Sequence, residues 1–179
     1  MTRPASDKQA KQYDRDYFDR WYRDGGIGGA RRLARKVAVA VATAEYCLER
    51  PLRTVLDIGC GEGAWRAPLL QLRPGLRYLG FDSSEYAVVR YGSRRNLHFA
   101  RFGDFAQLRP CPPVDLLVCS DVLHYLPTRE LDRGLPGLAA LCGGVAFLET
   151  FTREDQAEGD EHAFQSRPAR FYRDRFEAL

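Results

Sequence analysis

The chain has 179 residues, of which 45% are hydrophobic and 28% are charged. This length corresponds to one domain of about 100–200 residues, and the composition is that of a globular protein, which excludes a disordered chain. The net charge of +3 is too small to indicate a nucleic-acid partner.

The sequence predicts neither a membrane-spanning segment nor a secretion signal. The longest uncharged apolar run covers residues 37–44, well short of the roughly 20 residues that span a bilayer. The cysteines at positions 47, 60, 111, 119 and 142 have no C-x-x-C spacing, so they favour neither a disulfide framework nor a metal site. We therefore predict a cytoplasmic protein with reduced thiols, no bound metal and no membrane contact.

The N-terminal part contains two predicted helices. Tyr13, Tyr17 and Trp21 recur at helical spacing, and glycines at 25, 26, 28 and 29 then break the chain. We separate residues 1–29, as a helical segment, from a core domain of residues 30–179. The core opens with a helix over residues 30–49, whose basic cluster at 31–36 is interpreted as a solvated face.

From residue 54 onwards, strand and helix patterns alternate. Helices are predicted at 64–72, 84–91, 128–142 and 168–179, with Thr128 as an N-cap and Gly143-Gly144 as a stop. Strands are predicted at 54–58, 77–81, 97–102, 114–119 and 145–150, and residues 153–167 form a polar loop. Such alternation predicts an α/β fold, a doubly wound, mostly parallel sheet between two helical layers.

A glycine-rich loop follows the first strand. Ligands bind doubly wound sheets at the carboxyl ends of their strands, where Asp57 and the loop Gly59-Cys60-Gly61-Glu62-Gly63 lie. Glycines let the backbone approach a ligand closely, and the next helix presents N–H groups to an anion. Because Gly59, Gly61 and Ala64 also satisfy the dinucleotide pattern G-x-G-x-x-[G/A], the loop alone leaves the cofactor undecided.

Polar residues follow three further strands. Asp82, followed by Ser83, can accept hydrogen bonds from the ribose hydroxyls of a cofactor, whether or not that cofactor is a dinucleotide. Gly103-Asp104-Phe105 offers a carboxylate and a ring that could hold an adenine by hydrogen bond and stacking. Ser120-Asp121 ends the fourth strand, and Leu123-His124-Tyr125-Leu126-Pro127 follows it.

Taken in chain order, these motifs resemble those of the class I S-adenosylmethionine-dependent methyltransferases of the small-molecule type. Residues 55–63 (VLDIGCGEG) are similar to the family's first motif, 80–84 to its second, 103–105 to its third and 115–126 to its fourth. The resemblance covers roughly residues 52–150. It implies a Rossmann-like fold and S-adenosylmethionine as the cofactor.

The resemblance also implies roles for individual residues. The implied cofactor-binding residues are Asp57, Gly59, Cys60, Gly61, Asp82, Ser83, Asp104, Phe105 and Asp121. Among them, Asp57 would lie beside the methionine part, Asp82 at the ribose, Asp104 at the adenine amino group and Asp121 near the transferred methyl. The N-terminal aromatic residues are either a lid over this pocket or part of the core.

The chemistry of the reaction leaves the acceptor open. The donor is already activated by its positive charge, so positioning supplies much of the acceleration, and a base is needed only for an acceptor of high pKa. His124 is the candidate base, with a structural role as the alternative. The fourth motif lacks the Asn/Asp-Pro-Pro-Tyr/Phe signature of amino methylation, and we expect a small-molecule acceptor, whose carboxylate or phosphate could meet Arg167 or Arg170.

The sequence departs from the family after the fifth strand. The family's sheet usually has seven strands in the order 3-2-1-4-5-7-6, but no alternating strand pair follows residue 150. We therefore expect five strands, in the order 3-2-1-4-5, without the C-terminal hairpin, and an open edge that could form a homodimer. Two alternatives to an active methyltransferase are an inactive relative that binds a cofactor or a partner, and a nicotinamide-dependent oxidoreductase.

Overall fold

The computed structural model describes residue 16 and residues 29–155 and 163–179. Its helices are α1 (Gly29–Leu48), α2 (Arg66–Leu72), α3 (Glu85–Arg95), α4 (Thr128–Leu141) and α5 (Ala169–Glu177). Its strands are β1 (Thr54–Ile58), β2 (Arg77–Asp82), β3 (Leu97–Phe99), β4 (Val114–Ser120) and β5 (Cys142–Glu149). Two short 3-10 helices follow β3 and β4, at Phe102–Ala106 and Leu123–Tyr125.

The strands form one parallel sheet in the order β3-β2-β1-β4-β5. This confirms the predicted fold class and strand order. The inner strand β4, between β1 and β5, is buried along its length except at Ser120. Such an uninterrupted apolar run is typical of a parallel strand covered by helices on both faces.

Two hydrophobic cores lie on opposite faces of the sheet. Because side chains alternate along a strand, Val55 of β1 faces one core while Leu56 and Ile58 face the other. On the first face, α1 and α2 contribute Val37, Ala40, Val41, Ala44 and Leu69. On the second, α4 and α5 contribute Leu131, Leu135, Leu138, Leu141 and Tyr172.

Two strand boundaries differ from the prediction by more than one residue, the end of β3 and the start of β5. The chain leaves β3 at Phe99, not at residue 102, because Phe99 pairs with Asp82, the last residue of β2. The strand β5 begins at Cys142, so the two glycines expected to stop the preceding helix belong to it. A Cβ on Gly144 would lie 2.4 Å from the Asp115 carbonyl oxygen, so only glycine allows this close backbone approach.

Helix boundaries differ from the prediction at the N-cap of α4 and, by four residues, at the end of α3. Pro127, not Thr128, is the N-cap of α4, and no side chain of the described residues caps that helix. The reason is that the Pro127 carbonyl accepts the first helical hydrogen bonds, from the amides of Glu130 and Leu131. The helix α3 continues beyond residue 91 to Arg95 and ends on Asn96 in the left-handed conformation.

Several predictions lie outside the described residues. They are the helix carrying Tyr13, Tyr17 and Trp21, and residues 156–162 of the predicted polar loop. The predicted boundary between residues 29 and 30 falls in the first turn of α1, which begins at Gly29. Among the residues that the structure does describe after β5, there is one helix and no strand. No helix in the described ranges is long and apolar enough to cross a membrane.

Candidate functional site

The candidate site lies at the point where the strand order reverses. The chain passes from β1 to β2 and β3 on one side, and β4 and β5 pair on the other side of β1. Open α/β sheets bind ligands in the crevice outside the carboxyl ends of the strands at this switch point. Asp57, the loop at 59–63, Asp82 and Ser120-Asp121 all lie at those ends.

The glycine loop has a backbone that requires glycine. Gly59, Gly61 and Gly63 have φ angles of +74°, +54° and +74°, in the region that side chains disfavour. A Cβ on Gly59 would also lie 2.3 Å from Cγ2 of Val122. The Gly59 amide donates to the Phe81 carbonyl at 2.8 Å, which holds the loop against the end of β2.

Asp82 is bonded directly to this loop. Its Oδ2 accepts the Gly61 amide at 2.7 Å, and its Oδ1 accepts the Ser84 amide at 2.8 Å. Burial raises the pKa of the Asp82 carboxyl, although hydrogen bonds from the amides of Gly61, Ser84 and Ser83 act in the opposite direction. A carboxylate offers about four acceptor positions, so capacity for a ligand hydroxyl remains. Asp82 therefore shapes the loop as well as being available to a ligand.

Asp57 lies buried beneath the loop beside two other titratable groups. Only 2% of Asp57 is exposed, and its Oδ2 accepts a hydrogen bond from the Tyr78 hydroxyl at 2.7 Å. Burial raises the pKa of Asp57 to about 7; the Tyr78 hydrogen bond opposes this rise and the charge of Asp82 adds to it. Burial also raises the pKa of the Cys60 thiol. Sequence reasoning missed Tyr78, whose only signal was a polar hydroxyl within a strand predicted to be buried.

The third motif occupies a different environment from the glycine loop. Phe105 is fully buried in the core, with its ring edge-on to Phe81 at a centroid distance of 5.5 Å. Asp104 accepts the Arg101 amide at 2.9 Å and lies 3.4 Å from Arg133 of α4. Within the described residues, no hydrogen bond joins Asp104 to the glycine loop. The motif is linked to that loop through Phe81, whose ring contacts Phe105 and whose carbonyl accepts the Gly59 amide.

Asp121 and His124 form a connected pair after β4. Asp121 has a φ angle of +65°, and its amide donates to the Glu149 carbonyl at 3.0 Å. His124 is 1% exposed; its Nδ1 accepts the Phe151 amide at 3.2 Å, and its Nε2 lies 3.6 Å from Asp121 Oδ1. Because Nδ1 is an acceptor, the neutral ring carries its proton on Nε2, facing Asp121. This arrangement favours a positioning role, and the role of base stays a prediction.

A polar cluster at the ends of β4 and β5 joins Ser120, which the sequence analysis named, to Lys36 and Glu149, which it missed as site residues. Oε2 of Glu149 accepts hydrogen bonds from Lys36 Nζ and Ser120 Oγ, each at 2.5 Å. Burial acts to raise the pKa of Glu149, but these bonds and the charges of Lys36 and Arg32 outweigh it and lower the pKa. Lys36 was interpreted as part of a solvated face. Its position four residues before Ala40, on the buried stripe of α1, was the available signal.

The two arginines predicted to meet a substrate anion have different surroundings. Arg170 is exposed and lies 3.4 Å from Asp174, one turn along α5. Arg167 is 7% exposed and contacts the loop after β4, with its Nη2 2.7 Å from the Leu126 carbonyl oxygen. Only Arg167 therefore adjoins the carboxyl edge of the sheet through a contact in the described structure.

Comparison with known families agrees with this geometry. A family model described as a methyltransferase domain matches residues 56–144, which contain the glycine loop, Asp82 and the loop after β4. The chain belongs to the class I S-adenosylmethionine-dependent methyltransferases. This confirms the family that the ordered motifs predict.

Two curated relatives are similar to parts of this methyltransferase chain. The trans-aconitate 2-methyltransferase of Deinococcus radiodurans is 38% identical over 113 residues, which are 61% of this chain and 42% of the relative. That of Mycolicibacterium gilvum is 36% identical over 78 residues, which are 44% of this chain and 30% of the relative. The chain therefore spans less than half the length of these relatives.

Solved structures share the fold of this methyltransferase. The magnesium protoporphyrin IX methyltransferase of Synechocystis, determined with bound SAH, superposes with a TM-score of 0.65 at 23% identity, covering 93% of this chain and 84% of that one. The plantazolicin methyltransferase BpumL superposes with a TM-score of 0.64 at 13% identity, covering 91% of this chain and 66% of that one. At these identities the likeness concerns the fold alone.

Proposed function

We propose that this protein binds S-adenosylmethionine at the switch point and transfers its methyl group to a small-molecule acceptor. The observation that carries the proposal is the left-handed glycine loop at the end of β1, bonded through the Gly61 amide to Asp82 at the end of β2. A ligand can therefore come close to the backbone of the loop while its hydroxyl groups donate hydrogen bonds to the Asp82 carboxylate. Family membership and the SAH bound in the Synechocystis structure support the same cofactor.

The residues at this edge suit the proposed cofactor unequally. When bound, S-adenosylmethionine supplies a methyl group activated by the positive sulfur. Gly59 and Gly61 would lie beside its methionine part, with the buried Asp57 beneath them. Asp82 would bind its ribose hydroxyls, and Asp121 would lie near the methyl end. Asp57, whose pKa lies at about 7, can hold or release a proton beneath the loop. Phe105 suits the adenine less well, because its ring is fully buried in the core.

The acceptor is proposed to be small because the names of the relatives and neighbours describe small acceptors. They include trans-aconitate, magnesium protoporphyrin IX and plantazolicin. The proton on His124 Nε2 faces Asp121, so His124 is not placed here as a base. We propose that the described residues at this edge position the methyl donor and the acceptor. Such positioning supplies much of the acceleration of a displacement reaction.

The remaining expectations stay predictions. They are a homodimer through the β5 edge, a cytoplasmic location, and a separate segment 1–29 that covers the site. Within the described residues, β5 pairs with β4 alone, so its other edge is open to a partner strand.

The decisive experiment is calorimetric titration with S-adenosylmethionine, S-adenosylhomocysteine and NAD. We expect micromolar binding of the first two and none of NAD. Asp82→Ala should weaken binding about tenfold or more, the usual value of a hydrogen bond to a charged group. Since Asp82 also holds the Gly61 amide, a thermal melt must show that the variant is folded. The exposed Asp174→Ala is the matched control, and wild-type affinity of Asp82→Ala would refute the assignment.

A further inference from the structure

We propose that Arg167 binds a carboxylate group of the methyl acceptor, at the start of α4 beside the loop that follows β4. The proposal deepens the proposed function, on which it rests, by naming an anionic substrate class and the residue that selects it. It depends on the surroundings of one buried guanidinium.

Arg167 is a buried cation with no counter-charge among the described residues. It is 7% exposed, and its Nη2 donates to the Leu126 carbonyl at 2.7 Å and to the Thr128 hydroxyl at 3.0 Å. Its Nη1 is buried and has no hydrogen-bond partner in the described structure. None of the ion pairs among the described residues involves Arg167. Because buried charges in proteins are normally paired, these surroundings favour a bound anion.

The position of Arg167 relative to α4 supports the same conclusion. The helix begins at Thr128, and no side chain of the described residues caps its N-terminus. A helix N-terminus carries partial positive charge, which an anion beside Arg167 would complement. Glu130, the acidic residue of the first turn, accepts the Gly103 amide at 3.4 Å and forms none of the described ion pairs with Arg167. The ring of Phe171, whose centroid lies 4.6 Å from the guanidinium carbon, covers one face of the Arg167 guanidinium. It leaves Nη1 unsatisfied.

The segment that carries Arg167 runs along the proposed site. The Gln165 amide donates to the His124 carbonyl at 2.7 Å, and two residues later Arg167 reaches the Leu126 carbonyl. The side chain of His124 in turn faces Asp121, which is proposed to lie near the methyl end. A planar guanidinium recognises a carboxylate through paired N–H donors, so the unsatisfied Nη1 suits a carboxylate better than a neutral acceptor.

The test compares a charged acceptor with its uncharged derivative. Wild-type protein is titrated with trans-aconitate, succinate and citrate, and with trimethyl trans-aconitate, both with and without saturating S-adenosylhomocysteine. We expect at least one carboxylate to bind and the ester not to bind. Arg167→Gln should weaken carboxylate binding about tenfold or more, and Arg167→Lys should weaken it less. Arg170→Gln, at the exposed arginine of the same segment, should leave it unchanged.

The outcomes separate recognition from a packing role. A packing role would lower the melting temperature of Arg167→Gln but leave the carboxylate affinity of the folded variant unchanged, and that result overturns the proposal. So does equal binding of ester and carboxylate, or binding of none of the three carboxylates to the wild type. If Arg167→Gln does not fold, Arg167→Lys and the ester comparison decide. Loss of S-adenosylhomocysteine binding alone would refute the proposed function, whereas Arg167-dependent carboxylate binding would still be measurable.

Discussion

Replacing Asp57 by asparagine should remove a pH dependence that this buried carboxyl gives to the stability of the fold. The native carboxyl has a pKa of about 7, against an ordinary value of 3.8. Between these two values the folded protein keeps a proton that the unfolded chain releases. The folded state is therefore stabilised at low pH, and this contribution is lost as the pH rises from about 4 to about 7.

The size of the effect follows from the two pKa values. Each pKa unit corresponds to about 1.4 kcal/mol, so a difference of about three units amounts to about 4 kcal/mol of unfolding free energy. The side chain introduced by Asp57→Asn cannot ionise, and its amide oxygen can still accept the hydrogen bond from the Tyr78 hydroxyl. We expect the stability of the wild type relative to Asp57→Asn to fall by about 4 kcal/mol across this range and then to level off.

The assay is urea denaturation of both proteins at intervals from pH 4 to pH 8. The unfolding free energy of Asp57→Asn is subtracted from that of the wild type at each pH. The subtraction removes the contribution of groups that titrate in both proteins, such as Asp115, whose pKa is lowered to about 2 mainly by its hydrogen bond with Arg50. Asp174→Asn, at an exposed position, is the control and should give a flat difference. A flat difference for Asp57→Asn would show that Asp57 is ionised throughout, and would refute the burial argument.

Two further predictions concern the loop and the missed polar cluster. Gly59→Ala should destabilise the fold by about 1–3 kcal/mol because the new Cβ is crowded, and by about 1–2 kcal/mol more because the backbone is left-handed. The control is Gly75→Ala, whose Cβ meets nothing within 4 Å and which should not destabilise the fold. Equal unfolding midpoints of the two variants would contradict this prediction. Lys36→Met should cost about 1 kcal/mol of unfolding free energy, because it removes the ion-pair partner of Glu149. Adding Glu149→Gln should restore part of the loss. Additive costs in this double-mutant cycle would show that the pair is not coupled.

The sequence alone determined the fold class and the ordered motifs. Alternating apolar strands and amphipathic helices require a parallel sheet covered on both faces, and the family that the motifs resemble supplied the strand order. The loop at 59–63 was recognisable because its glycines occupy positions where side chains are excluded by local backbone geometry. These features depend on neighbouring residues and are therefore visible in the chain.

Only the tertiary structure decided which polar groups meet. Lys36 and Glu149 are 113 positions apart, and no local periodicity relates them. Whether Phe105 faces a ligand or the core depends on how α4 packs on the sheet, and the structure places it in the core. The unsatisfied Nη1 of Arg167 likewise arises from burial against the loop after β4, because desolvation and pairing depend on all surrounding atoms and not on the order of residues.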